Sequence, residues 1–136
     1  MTTPPKHSGL RHVALFCGEL EASVSFYTEV LSMTVEWNPD PDNYYLTSGN
    51  DNLALHRADP TQNEAGLANQ QRLDHIGFIV AEPEAVDQWE AHLRDHRVEI
   101  VQPAKTHRDG ARSVYCKDPS GVVVQIIYHP PLAGTS

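Results

Sequence analysis

The sequence predicts an α+β fold built from two βαβββ modules, and an internal repeat is the first observation that supports it. When the chain is shifted by 63 residues, Leu73 falls under Leu10, and the two halves run in parallel without a gap for about 27 residues. Each half shows a β-rich stretch, a stretch with helical spacing and three more short β-rich stretches. We expect a single domain over residues 1–136, with modules at about 9–57 and 73–129 and a linker at about 58–72.

Each module begins with a strand that carries a histidine. Alternation places His12, Ala14 and Phe16 on one face of the first strand. The shift of 63 residues gives His75 the place of His12 in the second module. Two histidines at equivalent repeat positions are expected to share a role, since a buried polar group is seldom left twice without a partner.

A helix and three strands follow in each module. Apolar residues recur at helical spacing at Leu20, Val24, Tyr27 and Leu31, and again at Val86, Trp89 and Leu93. Pro83 suits a first helical turn. The remaining strands are predicted at Thr34–Trp37, Tyr44–Thr47, Leu53–His56, Val98–Gln102, Ser113–Lys117 and Val122–Tyr128, and turns at 38–43, 48–51 and 118–121.

Composition excludes several classes of function. The chain has 10 basic and 18 acidic residues and no Lys/Arg-rich run, so we expect no nucleic-acid or anionic-lipid partner. No apolar run approaches the roughly 18 residues that a bilayer span needs, so no membrane association is expected. The first residues lack an apolar signal region, and the two cysteines are too few for a disulfide framework. The expected location is the cytoplasm, with both thiols reduced.

The second module ends with a turn, Asp118-Pro119-Ser120-Gly121, followed by Gln125 on the last strand. With the two modules and the paired histidines, the chain resembles the vicinal oxygen chelate superfamily, which includes glyoxalase I, extradiol dioxygenases, methylmalonyl-CoA epimerase, fosfomycin-resistance thiol transferases and bleomycin-resistance proteins. The resemblance covers roughly residues 9–129. It implies a curved, incompletely closed sheet of eight strands, with helices on the outer face and a divalent metal ion on the concave face.

Carried over by position, the resemblance implies His12, His75 and Gln125 as metal ligands. The ion would be Fe, Mn, Ni, Zn or Co. A lone histidine in a strand is more often hydrogen-bonded than a ligand, but the repeat favours metal binding for this pair. Nitrogen and oxygen donors with open coordination positions are typical of a Lewis-acid site.

The sequence departs from the family pattern at two ligand positions. Gln125 stands where the family most often has glutamate, so its neutral carbonyl oxygen is expected to bind metal less tightly and cannot act as a base. The fourth ligand position falls on Ala54, which has no donor. His56 lies two residues further on the same face and is the candidate substitute.

Two further residues are candidates for proton transfer. Tyr115 lies ten positions before Gln125, the spacing at which extradiol dioxygenases carry a substrate-binding tyrosine. His107 lies near the place of another pocket histidine in those enzymes. Pocket walls are expected from Phe16, Trp37, Tyr44 and Tyr45, and an anionic substrate group would suit Arg57, Arg108 or Arg112.

The expected function is that of a divalent-metal-dependent enzyme acting on a small oxygen-bearing substrate, by lyase or isomerase chemistry of the glyoxalase type or by extradiol-type dioxygenase chemistry. The alternative is a metal-free protein of the bleomycin-resistance type that sequesters a small molecule in the same cleft. Exposed strand edges favour pairing, and the resemblance implies a homodimer, with modules paired within one chain or across two chains.

Overall fold

The computed structural model describes residues 4, 8, 10–59 and 73–132, which fall into two compact units divided between positions 62 and 63. The first unit contains β1 (His12–Cys17), α1 (Leu20–Ser25), β2 (Thr34–Asp40), β3 (Asn43–Thr47) and β4 (Asn52–Arg57). The second contains β5 (Ile76–Val80), α2 (Pro83–Asp95), β6 (Ile100–Thr106), β7 (Arg112–Lys117) and β8 (Val123–Tyr128). Each unit is therefore a βαβββ module, and the predicted α+β class is confirmed.

Each module forms one four-stranded mixed sheet. The strand orders are β1-β4-β3-β2 and β5-β8-β7-β6. In both sheets the first strand of the module pairs in parallel with the last, while the other neighbours are antiparallel. Most of the predicted linker, residues 60–72, lies outside the described residues.

The first helix departs from regular α-helical spacing. After α1 the chain continues as a π-helical turn, Phe26–Val30, and the Leu31 N–H donates to the Phe26 carbonyl at 3.1 Å. The wider turn allows the adjacent residues Phe26 and Tyr27 both to be buried, with their rings edge to face at 5.0 Å. Leu20 and Tyr27 are buried as the spacing predicts, and Phe26, which the predicted spacing did not include, is buried as well.

The second helix follows the predicted pattern more closely. Pro83 begins it, and Val86 and Leu93 are fully buried. On β8, Val124 and Ile126 are also buried, as expected for side chains that point toward the helix. No helix in the described ranges is long and apolar enough to cross a bilayer.

Two strands extend past prolines where the sequence predicts an end. β2 continues to Asp40 through Pro39, so the predicted turn at 38–43 shrinks to positions 41 and 42. β6 runs to Thr106 through Pro103 instead of ending at Gln102. Both are edge strands of their described sheets, and both have register shifts against their neighbours at the proline. A bulged edge strand tolerates proline because the missing N–H need not serve the sheet.

The two cysteines lie in the core of their modules. Cys17 and Cys116 are not joined in a disulfide, and both are fully buried, as predicted for Cys17. Burial raises the pKa of the Cys116 thiol to about 12, and the Asp118 carboxylate adds to this effect. A buried thiol with a raised pKa is a poor nucleophile, as expected of a core residue.

Glu90 links α2 to β6 and generates a test of the fold. Its carboxylate accepts the Ala104 backbone N–H at 2.7 Å and the Arg94 Nε–H at 2.9 Å, and these two bonds lower its pKa. We predict that Glu90→Ala lowers the free energy of unfolding by about 1–2 kcal/mol at neutral pH, because a charge-assisted hydrogen bond is lost. Urea denaturation at several pH values measures this.

The pH dependence has a definite sign. Because the folded-state pKa of Glu90 is lowered, its contribution is complete above the ordinary carboxyl pKa of about 4.3 and is lost as the pH falls through the folded-state value. The difference between parent and variant should therefore shrink in acid. Gln88→Ala, at an exposed position of the same helix, is the matched control. Equal stability of parent and Glu90→Ala at neutral pH would contradict the prediction.

Candidate metal centre

In the first unit, the histidine predicted as a ligand is held by its neighbour on the adjacent strand. His12 pairs with Asn52, and His12 Nδ1 lies 2.8 Å from the Asn52 Oδ1 acceptor. The Asn52 amide in turn donates from Nδ2 to Glu36 Oε1 at 2.9 Å. Since a carboxylate only accepts, Asn52 must present its oxygen to the ring, and His12 Nδ1 must carry the hydrogen. The lone pair of the neutral ring is then on Nε2.

In the second unit, His75 is held by an adjacent carboxylate. His75 Nδ1 lies 2.6 Å from Asp74 Oδ2, so Nδ1 carries the hydrogen here as well. The His75 ring lies edge to face with Tyr115, with centroids 5.4 Å apart. Histidine ligands of metal ions typically donate a hydrogen bond from one ring nitrogen to a carboxylate or amide oxygen. The lone pair of the other ring nitrogen then binds the metal.

Gln125 completes the predicted set in the second unit. It pairs with Tyr115 across β8 and β7, is 7% exposed, and donates from Nε2 to the Tyr115 hydroxyl at 2.9 Å. Its Oε1 lies over Gly77, where an added Cβ would be only 3.5 Å from the oxygen. The structure therefore brings His75, Tyr115 and Gln125 together on one face of the second sheet.

The turn before β8 fixes the position of Gln125. Asp118 Oδ1 accepts the backbone N–H groups of Ser120 and Val122, both at 2.8 Å. Gly121 adopts a φ of +93°, a conformation that favours glycine, and its N–H donates to the Asp118 carbonyl. These bonds set where β8 starts, and with it which face Gln125 occupies.

The donor groups in each unit are of kinds that bind divalent ions. The His12 imidazole in the first unit, and the His75 imidazole and Gln125 carbonyl oxygen in the second, suit Zn, Ni, Co, Mn or Fe. Within residues 10–59 and 73–132 no group of three His, Cys, Asp or Glu side chains forms a metal-binding cluster. Negative charge is supplied instead by Asp74 and Glu36, behind the two histidines.

The register also shows what occupies the fourth ligand position. Ala14 pairs with Ala54 in the first sheet as Gly77 pairs with Gln125 in the second, so Ala54 holds the place equivalent to Gln125. His56 shares the face of His12 but pairs with Phe16, four residues along β1, which is about 13 Å of strand. Its Nδ1 lies 2.6 Å from Asn43 Oδ1. The structure thus holds His56 apart from His12.

His107 and two of the three candidate arginines have defined partners. His107 Nε2 hydrogen-bonds Ser113 Oγ at 2.9 Å, and Ser113 lies two residues before Tyr115 on the same face of β7. Arg57 is engaged by Glu21 and Asp42, and Arg112 by Asp87. Sequence reasoning did not anticipate Asn52, Glu36 or Asp74, although Asp74 stands directly before His75 and Asn52 directly precedes a predicted strand.

The fold and the side chains described above define the class of this protein. It has two βαβββ modules, and their sheets carry imidazole and carboxamide groups. The family model for the Glyoxalase/Bleomycin resistance protein/Dioxygenase superfamily matches residues 9–126. The chain therefore belongs to this superfamily, and the resemblance found in the sequence is confirmed.

Similar proteins support this assignment. The metallothiol transferase FosB of Staphylococcus saprophyticus is 23% identical over 112 residues, which cover 82% of this chain and 71% of the relative. The crystal structure of a lactoylglutathione lyase from Agrobacterium tumefaciens has a TM-score of 0.71 at 24% identity, over 97% of this chain and 99% of the other. A glyoxalase-related enzyme from Fulvimarina pelagi has a TM-score of 0.69 at 20% identity, over 91% and 90%. The two structures establish the shared fold.

Proposed function

We propose that the protein is a divalent-metal-dependent enzyme that acts on a small oxygen-bearing substrate, with His12, His75 and Gln125 as the metal ligands. One observation carries the proposal: His12 and His75, one in each module, both commit Nδ1 to an oxygen acceptor. The repeat predicts that the two histidines share a role. If both bind a metal ion through Nε2, both rings need the tautomer with the hydrogen on Nδ1.

When bound, the ion would polarise the substrate oxygens as a Lewis acid. Gln125 keeps its carbonyl oxygen for ligation because its amide is used by Tyr115. The Tyr115 hydroxyl accepts that bond, which leaves its own hydrogen for a substrate oxygen. His107, held by Ser113 on the same side of the sheet, is the second candidate proton carrier. This arrangement suits lyase or isomerase chemistry and, with a redox-active ion, extradiol-type dioxygenase chemistry.

A metal-free binding protein is the alternative, and a row of rings in the first unit favours it. Trp37 and Tyr45 have ring centroids 4.9 Å apart, and His56 lies 5.8 Å from Tyr45 and 6.2 Å from Phe16. Phe16 and Trp37 are 71% and 58% exposed. Such a surface suits an apolar or planar ligand. Under this alternative, a ligand would bind equally well after chelation of all divalent ions.

We also propose a homodimer. β2 has no buried residue and is an edge strand of its described sheet, and Phe16 and Trp37 leave a large apolar area uncovered in the single chain. A second copy would cover this area. In the superfamily, modules associate edge to edge, either within one chain or across two, and a cross-chain arrangement would combine His12 of one protomer with His75 of its partner.

Removal of both histidines tests the metal site directly. We predict that the His12→Ala/His75→Ala double variant loses retained metal while keeping the far-ultraviolet circular dichroism of the parent, because neither ring is part of the core. Elemental analysis of purified protein gives the metal content. The matched control is His96→Ala, at the end of α2. Equal metal content in parent and double variant would contradict the proposed ligands.

Gln125→Glu is predicted to tighten metal binding by about tenfold or more. A carboxylate adds Coulomb attraction that the amide lacks, and even about 1.4 kcal/mol in a partly desolvated site corresponds to a factor of ten. Titration of the apoprotein with Zn²⁺, Ni²⁺ and Co²⁺ measures the change. Gln88→Glu, at an exposed position of α2, adds the same charge away from the ligands as a control. Unchanged affinity in Gln125→Glu would argue that Gln125 is not a ligand.

Mixing two variants distinguishes the two ways of pairing modules. If sites form across chains, a mixture of His12→Ala and His75→Ala chains regains one complete metal site in each heterodimer. Sites formed within one chain give no recovery. Metal analysis after refolding the mixture distinguishes these outcomes, and sedimentation that shows only a 15.1 kDa monomer would remove the dimer proposal.

A further inference from the structure

His56 takes part in a hydrogen-bonded chain of three side chains. His56 Nδ1 lies 2.6 Å from Asn43 Oδ1, and Asn43 Nδ2 donates to both oxygens of Asp40, at 2.9 and 3.0 Å. Asp40 is itself held by the backbone N–H of Asp42 at 2.8 Å. The order is histidine, asparagine, carboxylate.

The same order holds His12 on the same sheet. Asn52 stands between His12 and Glu36 as Asn43 stands between His56 and Asp40. In both chains the carboxylate accepts the amide hydrogens, so the asparagine oxygen faces the ring and the ring must donate from Nδ1. His56 is therefore fixed with the lone pair of its neutral ring on Nε2, like the proposed ligand His12.

The surroundings of His56 suit proton transfer rather than ligation. Its ring is half-buried and lies between the rings of Phe16 and Tyr45. It shares the sheet face of His12 at about 13 Å along the strand, which is too far for one ion to bind both rings, so a substrate held at His12 would have to extend along the sheet to reach His56. Gln125 in the second unit cannot supply the base that a glutamate would, and in the first unit His56 offers a ring nitrogen that can accept a proton.

We propose that His56 is the proton acceptor of the site, with Asn43 and Asp40 as its positioning residues; this rests on the proposed function. A proton moves from a substrate C–H or O–H to Nε2 of His56, and the electron pair of the broken bond stays on the substrate. The imidazolium formed keeps its Nδ1–H bond to Asn43, and the Asp40 carboxylate behind it stabilises the charge. Return of the same proton to another substrate atom restores the neutral ring.

The tautomers can be measured in the metal-free protein. Long-range ¹H–¹⁵N NMR spectra in slightly alkaline solution, where imidazoles are neutral, should show His56 and His12 with the hydrogen on Nδ1. Asn43→Ala should move the hydrogen of His56 predominantly to Nε2 and leave His12 unchanged, which also shows that the sheet is intact. Asp40→Ala releases the asparagine amide and should give a mixture, whereas Asp40→Asn, which still accepts through Oδ1, should retain the parent tautomer.

Two results would overturn the proposal: a parent His56 with its hydrogen on Nε2, or an Asn43→Ala spectrum identical to that of the parent. Addition of Zn²⁺ separates the proposal from the metal site. The proposed function predicts that zinc shifts His12 and His75 and leaves Nε2 of His56 uncoordinated; coordination of His56 would make it a ligand and also overturn the proposal. If zinc shifts the NMR signals of none of these rings, the proposal of a metal-dependent function fails. The tautomer of His56 then decides by itself whether Nε2 is held ready to accept a proton.

Discussion

Parallel pairing of the first and last strand of each module is the constraint on which the rest of the molecule depends. Parallel neighbours cannot be joined by a tight turn, so the helix and the two intervening strands serve as the crossover between them. The register of this pairing places Asn52 beside His12 and Gln125 beside Gly77. A shift of one residue in this register would turn Gln125 toward the helix and Val124 toward the opposite face of the sheet.

The open faces gain their chemistry from hydrogen bonds that fix ring tautomers. His12, His56 and His75 all donate from Nδ1 to an oxygen, although the partners are an amide on the next strand, an amide across a hairpin and a carboxylate one residue away. Three different local solutions thus give the same outcome.

A neutral ligand set changes how charge is arranged around the proposed site. A glutamate ligand would neutralise the ion directly, whereas here Asp74 and Glu36 act from behind the histidines. Outer carboxylates make imidazole a stronger donor but leave more positive charge on the ion and its substrate. The proposed site is therefore better suited to polarising a substrate oxygen than to accepting a proton at Gln125, and His56 of the first sheet is the acceptor that we propose.

The sequence by itself determined the two βαβββ modules and the burial of Leu20, Val86 and Leu93, because repeats and periodicity are local properties of a chain. Tertiary structure alone decided the π turn at Phe26–Val30 and the passage of β2 and β6 through their prolines, since both depend on burial and on edge positions in a sheet. It also decided the partners Asn52, Glu36 and Asn43. Asn52 and Asn43 reach their histidines across neighbouring strands, and Glu36 holds Asn52 from β2. No spacing along the chain encodes which strands become neighbours.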